Sequence, residues 1–103
     1  FDEEQLKRLG RMCDLLDVAF KAMIENMKTP YNALKDITNS NDAEYNLNEY
    51  RNTLREEHII NIEENPDYNY QVGVFYMDIV AELEKMGDFI INISEAKIAE
   101  NAA

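Results

Sequence analysis

Residues 3–27 read EEQLKRLGRMCDLLDVAFKAMIENM, and this stretch decides the fold class. Its apolar residues follow one another at alternating steps of three and four, the spacing of a helix that packs along one side in a bundle. Acidic residues occupy its first turn, where the positive end of the helix dipole favours them. The pattern predicts a long first helix whose core row is Leu6, Leu9, Cys13, Leu16, Phe20, Met23 and Met27.

Capping signals predict two further helices. Thr29-Pro30 supplies an N-cap and a first-turn proline, so a second helix is expected over residues 30–64. The run 39–42, Asn-Ser-Asn-Asp, is poor helix-forming sequence. We expect the helix to continue through it, and the alternative is a kink or short loop with Asp42 capping a renewed helix.

Asn65-Pro66-Asp67 repeats the capping signal and predicts a third helix over residues 66–99. Its expected core row is Val72, Phe75, Ile79, Leu83, Met86, Ile90 and Ile93. Short connections make consecutive helices antiparallel, and 103 residues suffice for one hydrophobic core. The predicted fold is therefore all-α, an antiparallel up-down-up three-helix bundle with long helices, formed by residues 1–103 as a single domain.

Charge and composition exclude several functions. Ten basic and twenty-one acidic residues give a net charge of −11, which repels nucleic-acid phosphates and anionic lipid headgroups. No apolar run approaches the ~18 residues of a membrane span, so direct membrane insertion of this segment is not expected. The lone Cys13 rules out an internal disulfide and favours a reducing compartment, the cytoplasm. Because the first residue is Phe1 rather than Met, we expect the chain to be part of a longer protein.

Polar residues interrupt the expected core of the second and third helices. At 100° per residue, one arc of under about 90° on the second helix holds five polar side chains. These are Glu44, Asn48, Arg51, Arg55 and His58. The third helix carries Glu84, Asp88, Asn92 and Glu95 in one stripe. Polar groups at core-facing positions need partners, because an unpaired buried group costs ~1–3 kcal/mol.

Two interpretations of these polar residues stay open. In the first, Glu84 or Asp88 pairs with Arg51 or Arg55 in a partly buried ion network that sets the register of the helices. In the second, Glu84 and Asp88, one helical turn apart, bind one divalent or trivalent cation. Gly87 lies between them, and a glycine inside a helix indicates the close approach of a neighbour.

Catalysis is not predicted. With one histidine and one cysteine the chain lacks the ligands of a nitrogen and sulfur zinc site, and His58 is expected to be a capped or surface side chain. No nucleophile with a neighbouring base and no glycine-rich phosphate loop is found in the sequence. We therefore expect the protein not to be an enzyme.

The stretch Glu82-Leu83-Glu84-Lys85-Met86-Gly87-Asp88, followed by Asn92-Ile93 and Glu95, resembles the signature of the PhoU family. That signature reads roughly D-L-E-R-I-G-D-H-x-x-N-I-x-E. Glu82 stands where the family tends to have Asp, and Phe89 replaces a histidine. Glu44, Asn48, Leu54 and Arg55 fit the preceding helix of the family, so the resemblance covers about the last 60 residues, whereas the first helix fits by pattern alone.

The resemblance implies a metal site and a location. In some family members the E-x-x-x-D motif binds iron or zinc, and here Glu84 and Asp88 carry it, with Glu44, Asn92 and Glu95 as further ligands. A single repeat is similar to the cytoplasmic C-terminal domain of sodium-dependent phosphate cotransporters, which lie in the bacterial inner membrane. The implied role is regulation or assembly of phosphate transport, and the implied partners are the membrane portion of the parent transporter or another PhoU-like domain, with a homodimer as a further expectation.

Two alternatives to the transporter domain follow from the same residues. The chain could be a fragment of a stand-alone PhoU regulator of phosphate uptake, which has two repeats that face each other. It could also be a helical protein-interaction module without metal, in which the acidic residues only solvate and lock the bundle.

Overall fold

The computed structural model describes residues 1–30 and 33–102, and it contains three helices. Helix α1 spans Glu3–Lys28, α2 spans Thr38–Glu64 and α3 spans Tyr70–Ala102. No strand occurs in the described residues, and each helix contacts both of the others. The molecule is elongated, measuring 56 × 20 × 16 Å. The prediction of an all-α fold with three long helices is confirmed.

Helix α1 begins and ends close to the predicted positions. The Asp2 carboxylate accepts a hydrogen bond from the Gln5 backbone N–H at 2.7 Å, and the Gln5 side chain accepts one from the Asp2 N–H at 3.0 Å. This reciprocal capping box satisfies two N–H groups that the helix itself leaves unpaired. Thr29, in extended backbone conformation, ends the helix.

The predicted start of the second helix at residue 30 is wrong. Residues 33–37 are not helical, residues 31 and 32 lie outside the described part, and α2 begins at Thr38. The Thr29 hydroxyl does not cap α2, because it donates to the Glu25 carbonyl within α1. The Asp36 carboxylate instead accepts from the Thr38 N–H at 3.1 Å. From Thr38 the helix continues through residues 39–42, as expected.

The predicted start of the third helix at residue 66 is also wrong, by four residues. The Asn65 side chain accepts from the Asp67 N–H, and its carbonyl accepts from the Tyr68 N–H, which together form a turn. The Asn69 side chain then accepts from the Val72 N–H at 3.1 Å. Asn69 therefore acts as the cap that we expected from Asn65.

The core rows of α1 and α3 differ from the predicted rows by about one residue. Buried residues recur every seven positions along each helix: Gln5, Met12, Ala19 and Asn26 in α1, Ser40, Leu47 and Leu54 in α2, and Gly73, Val80, Gly87 and Ser94 in α3. Several residues expected in the core are exposed, namely Leu6, Cys13, Phe20 and Met27 in α1 and Phe75, Ile79, Met86 and Ile93 in α3. Met23 and Ile90 are buried as expected.

Helices α1 and α3 are each apolar on two adjacent sides, which explains why their buried rows differ from the predicted ones. Steps of three and four describe either side equally well, because neighbouring rows on a helix lie one residue, or 100°, apart. The row that faces the other helices is the one with small residues, because small side chains allow the helices to approach closely. These residues are Ala19, Gly73, Gly87 and Ser94. Met12, Leu15, Leu47, Leu54, Tyr76 and Val80 then form the central hydrophobic cluster.

Contacts at the two ends show which parts of the helices meet. At one end the buried side chains of Asn26, Ser40 and Ser94 form a hydrogen-bonded triad, with distances of 2.9, 3.2 and 3.0 Å. The end of α1 therefore lies beside the start of α2 and the last part of α3. Near the other end, Arg8 of α1 forms an ion pair with Glu57 of α2 at 2.6 Å.

Candidate functional site

The polar interface between α2 and α3 centres on an ion pair. Arg51 Nη1 donates to Glu84 Oε2 at 2.5 Å, and the two side chains are only 18% and 20% exposed. A charge-assisted bond of this kind is stronger where water is largely excluded. One of the pairings predicted for the ion network is therefore confirmed, and the Glu84 carboxylate is engaged in it.

A second group of acidic residues follows one turn along the same interface. Burial raises the pKa of Glu44 above its ordinary value of 4.5, and the negative charge of Asp88 raises it further. A hydrogen bond from the Asn48 side chain opposes this rise, whereas the charge of Glu95 adds to it. The carboxylates of α2 and α3 thus repel one another here, so this end of the interface favours a proton or a cation.

Gly87 brings the two helices together between these groups. A Cβ atom on Gly87 would overlap the Leu47 side chain of α2, and Leu47 itself is 1% exposed. The close approach predicted from the glycine is confirmed. Glu84 and Asp88 thus lie on either side of a tight helix-to-helix contact.

The remaining residues predicted for the site are more exposed. Glu44 is half-buried, whereas Asp88, Asn92, Glu95 and Arg55 lie on the surface. Among the residues that the structure describes, no three His, Cys, Asp or Glu side chains come together as a group that could hold a metal ion. With Glu84 bound to Arg51, the side chains do not form a ready metal site, and metal binding stays a prediction.

A separate polar cluster near the start of α3 was not predicted. His58 Nδ1 lies 2.6 Å from the Tyr68 hydroxyl, and a Cβ atom on Gly73 would overlap Tyr68. Beside them is a cavity of about 260 Å³, lined also by Arg8 and Tyr76. Burial raises the pKa of Tyr76 to about 12, so this phenol stays protonated. His58, expected to be capped or on the surface, is half-buried with its ring nitrogen hydrogen-bonded to Tyr68.

The hydrogen-bonded triad at the other end was also missed. Asn26 is not a member of the core row predicted for α1, yet it is 3% exposed and donates to both serines. The available signal was the seven-residue spacing of Gly73, Val80, Gly87 and Ser94, which marks the buried row of α3.

No family model, no curated protein and no solved structure matches the chain. Among the described residues, none of the helices is both long and apolar enough to cross a bilayer.

Proposed function

We propose that the chain is a PhoU-like regulatory or assembly domain of a bacterial sodium-dependent phosphate cotransporter, built as an antiparallel up-down-up bundle. The observation that carries the proposal is the packing of the motif on α3. Leu47 of α2 packs against Gly87, which lies between the two acidic residues of the motif. Glu84 forms an ion pair with Arg51 of α2, and the charge of Asp88 raises the pKa of Glu44 of α2. These are the residues on which the resemblance rests.

In this role the domain works on the cytoplasmic side by contact and catalyses no reaction. Its partners are the membrane portion of the parent transporter or another PhoU-like domain. The contacts between Asn26 and Ser40 and between Arg8 and Glu57 support antiparallel packing of α1 and α2, because each joins the end of one helix to the start of the other.

Metal binding is a separate part of this proposal. Iron or zinc would be held by Glu84 and Asp88, with Glu44, Asn92 and Glu95 as further donors. Glu84 would first have to release Arg51, and two carboxylates make a poor multinuclear site. A homodimer that places two motifs face to face would supply the missing ligands.

A non-metal interaction module is the second candidate function. The Arg51–Glu84 pair favours it, because a carboxylate that neutralises a largely buried guanidinium already has a structural role. A fragment of a stand-alone PhoU regulator is the remaining alternative within the family.

The gene of the full protein separates the transporter from the stand-alone regulator. Apolar segments of about 20 residues beside this region support a transporter, and a second E-x-x-x-D repeat supports a regulator. For a transporter, we expect cells carrying the parent with Asp88→Asn to retain sodium-dependent phosphate uptake but to lose its adjustment to external phosphate. Unchanged adjustment, both in this variant and after deletion of residues 1–103, contradicts the regulatory role.

Titration of iron, zinc and manganese into the chain tests the metal part. Wild type is compared with Glu84→Gln, Asp88→Asn and, as a control, Glu82→Gln, whose exposed carboxylate pairs with Lys85. Binding that is lost in the first two variants and kept in the control supports a metal site. Identical isotherms for all four proteins reject it and favour the non-metal module.

A further inference from the structure

An apolar surface remains uncovered on α1 and α3, and we call it the outer face. Its most exposed members are Phe89 and Phe75, at 69% and 64%, and every other member is also exposed. The outer face consists of Leu6, Cys13, Phe20 and Met27 on α1 and Phe75, Ile79, Met86, Phe89 and Ile93 on α3.

These two rows lie next to each other, on the side of the bundle away from α2. Arg8 of α1 contacts α2 and lies four positions before Met12 of the buried row, whereas the outer residues of α1 lie one position after that row. On α3, Glu84 contacts α2 and lies four positions after Val80 of the buried row, whereas Ile79, Met86 and Ile93 of the outer face lie one position before that row. On each helix, the outer row and the residue that contacts α2 therefore lie on opposite sides of the buried row. This places both outer rows along the groove between α1 and α3.

The dimensions of the outer face suit one helix. The rows extend over about 20 residues, or ~30 Å at ~1.5 Å per residue, and across a bundle 20 Å wide this gives ~600 Å². A patch of this size lies at the upper limit for a monomer's surface. It falls short of the ~800 Å² per partner of a standard interface between globular proteins. A fourth helix lying in the groove would cover it.

The charges around the outer face select the kind of helix. A shallow cavity of about 300 Å³ on α3 is lined by Phe75, Ile79 and Leu83 and flanked by Asp78 and by Glu82, whose exposed carboxylate pairs with Lys85 of the same helix. This arrangement fits an apolar side chain with a basic residue beside it. A second copy of the chain on the outer face would bring another −11 charge with no bridging cation, unlike a dimer joined through the metal motifs, and like charges oppose that association.

We infer that the outer face binds one amphipathic helix of a partner protein, with an apolar stripe and basic flanks, which completes a four-helix bundle. This inference deepens the proposed regulatory role and rests on it for the identity of the protein to which that helix belongs. The binding itself follows from the exposed apolar rows, their size and the acids at their edge.

A designed peptide of about 20 residues tests the inference, with leucines at steps of three and four and lysines on the flanks. Binding to the 103-residue chain is measured by fluorescence anisotropy, beside a peptide of the same composition with scrambled order. We expect saturable binding of the patterned peptide, weakened at least about tenfold by Met86→Glu on α3 and by Phe20→Glu on α1.

The matched control is Ile60→Glu, which places the same charge on an exposed apolar position of α2. Circular dichroism checks the fold of every variant, and Phe89→Ala replaces any glutamate variant that unfolds. Equal binding of the patterned and scrambled peptides, or equal effects of Met86→Glu and Ile60→Glu, overturns the inference. A dimer of the wild type that Met86→Glu dissociates also overturns it, because the outer face would then bind a second copy.

Failure of this inference and failure of the proposed function can be told apart. Peptide binding together with unchanged phosphate regulation in the Asp88→Asn and deletion variants of the parent rejects the transport role and keeps the binding face. Altered phosphate regulation without peptide binding keeps the transport role and rejects this partner.

Discussion

Arg51 and Arg55 lie one helical turn apart on α2, yet their surroundings differ sharply. Arg51 is bound to Glu84 with little exposure to water, whereas Arg55 is exposed. Removing one member of a largely buried pair leaves the other charge without compensation, and an exposed arginine contributes little to stability. The two positions therefore form a matched test of the ion network.

We expect Arg51→Met to lower the free energy of unfolding by about 1–2 kcal/mol, because Glu84 loses its partner in a site of low exposure. Arg55→Met should change it by less than about 0.5 kcal/mol. Urea denaturation followed by circular dichroism measures both values. Equal stability of the two variants would show that the Arg51–Glu84 pair does not stabilise the fold.

Glu44 predicts a dependence of stability on pH. Burial and the charge of Asp88 raise its pKa above 4.5, so the folded chain binds this proton more tightly than the unfolded chain does. The stability that follows is fully present below pH 4.5 and is lost as the pH rises through the pKa of the folded state. Above that pKa the ionised carboxylate destabilises the interface.

Replacing Glu44 with glutamine removes this charge and keeps an acceptor for Asn48. We expect Glu44→Gln to raise the free energy of unfolding at pH 7 by less than about 0.5 kcal/mol, since the side chain is only half-buried, and so to raise the melting temperature slightly. The advantage should disappear below pH 4.5. Glu56→Gln, at an exposed position of the same helix, is the control, and an equal gain in both variants would assign the effect to net charge instead.

At the scale of single helices, two glycines test which side of a helix is packed. A Cβ atom on Gly87 would overlap Leu47, whereas one on Gly10 meets nothing within 4 Å. Glycine inside a helix costs ~0.5–1 kcal/mol relative to alanine, and this gain is available at both positions. Overpacking costs ~1–3 kcal/mol and applies to Gly87 alone.

We therefore expect Gly10→Ala to stabilise the chain by about 0.5–1 kcal/mol and Gly87→Ala to destabilise it by about 1 kcal/mol. Urea unfolding of the two variants beside wild type gives both signs in one experiment. A stabilising Gly87→Ala would mean that Leu47 moves aside at little cost and that α2 and α3 do not depend on this close contact.

The helices also show which features the sequence could predict. Local signals sufficed for α1, whose end differs by one residue from the prediction, because its cap and its row of apolar residues are both contained in the segment. The start of α2 was missed because Thr29 completes α1 by bonding the Glu25 carbonyl. The choice between Leu6 and Gln5 as the inward row depends on which helices approach, and periodicity within one helix does not contain that information.

The candidate site was predictable to the extent that it depends on charge. Arg51 and Glu84 stand at core-facing positions, where a charged side chain needs a partner. Their opposite charges on neighbouring helices therefore predicted the pairing. The choice of Arg51 over Arg55 depends on a rotation of 40° between them around α2, which only the packed bundle defines. Asn26 was missed for the same reason, since its partners Ser40 and Ser94 come from other helices.

At the scale of the whole molecule, the surplus of acid is a general cost to the fold. A net charge of −11 on a chain of 103 residues repels itself in the compact state more than in the extended unfolded state. The ion pairs with solvent-exposed members, four of them within the described residues, recover little of this, because such pairs contribute ~0–1 kcal/mol each. Salt should therefore stabilise the protein by screening the repulsion.

We expect the melting temperature at pH 7 to rise between 0.01 and 0.15 M sodium chloride, as the screening length falls from about 30 to about 8 Å. The control is the same chain near pH 4.4, the isoelectric point of the sequence, where self-repulsion vanishes and the salt effect should vanish with it. Differential scanning calorimetry measures both series. A melting temperature that falls with salt at pH 7 would mean that attractive pairs such as Arg51–Glu84 outweigh the repulsion, and the fold would then depend on its ion network more than on its core.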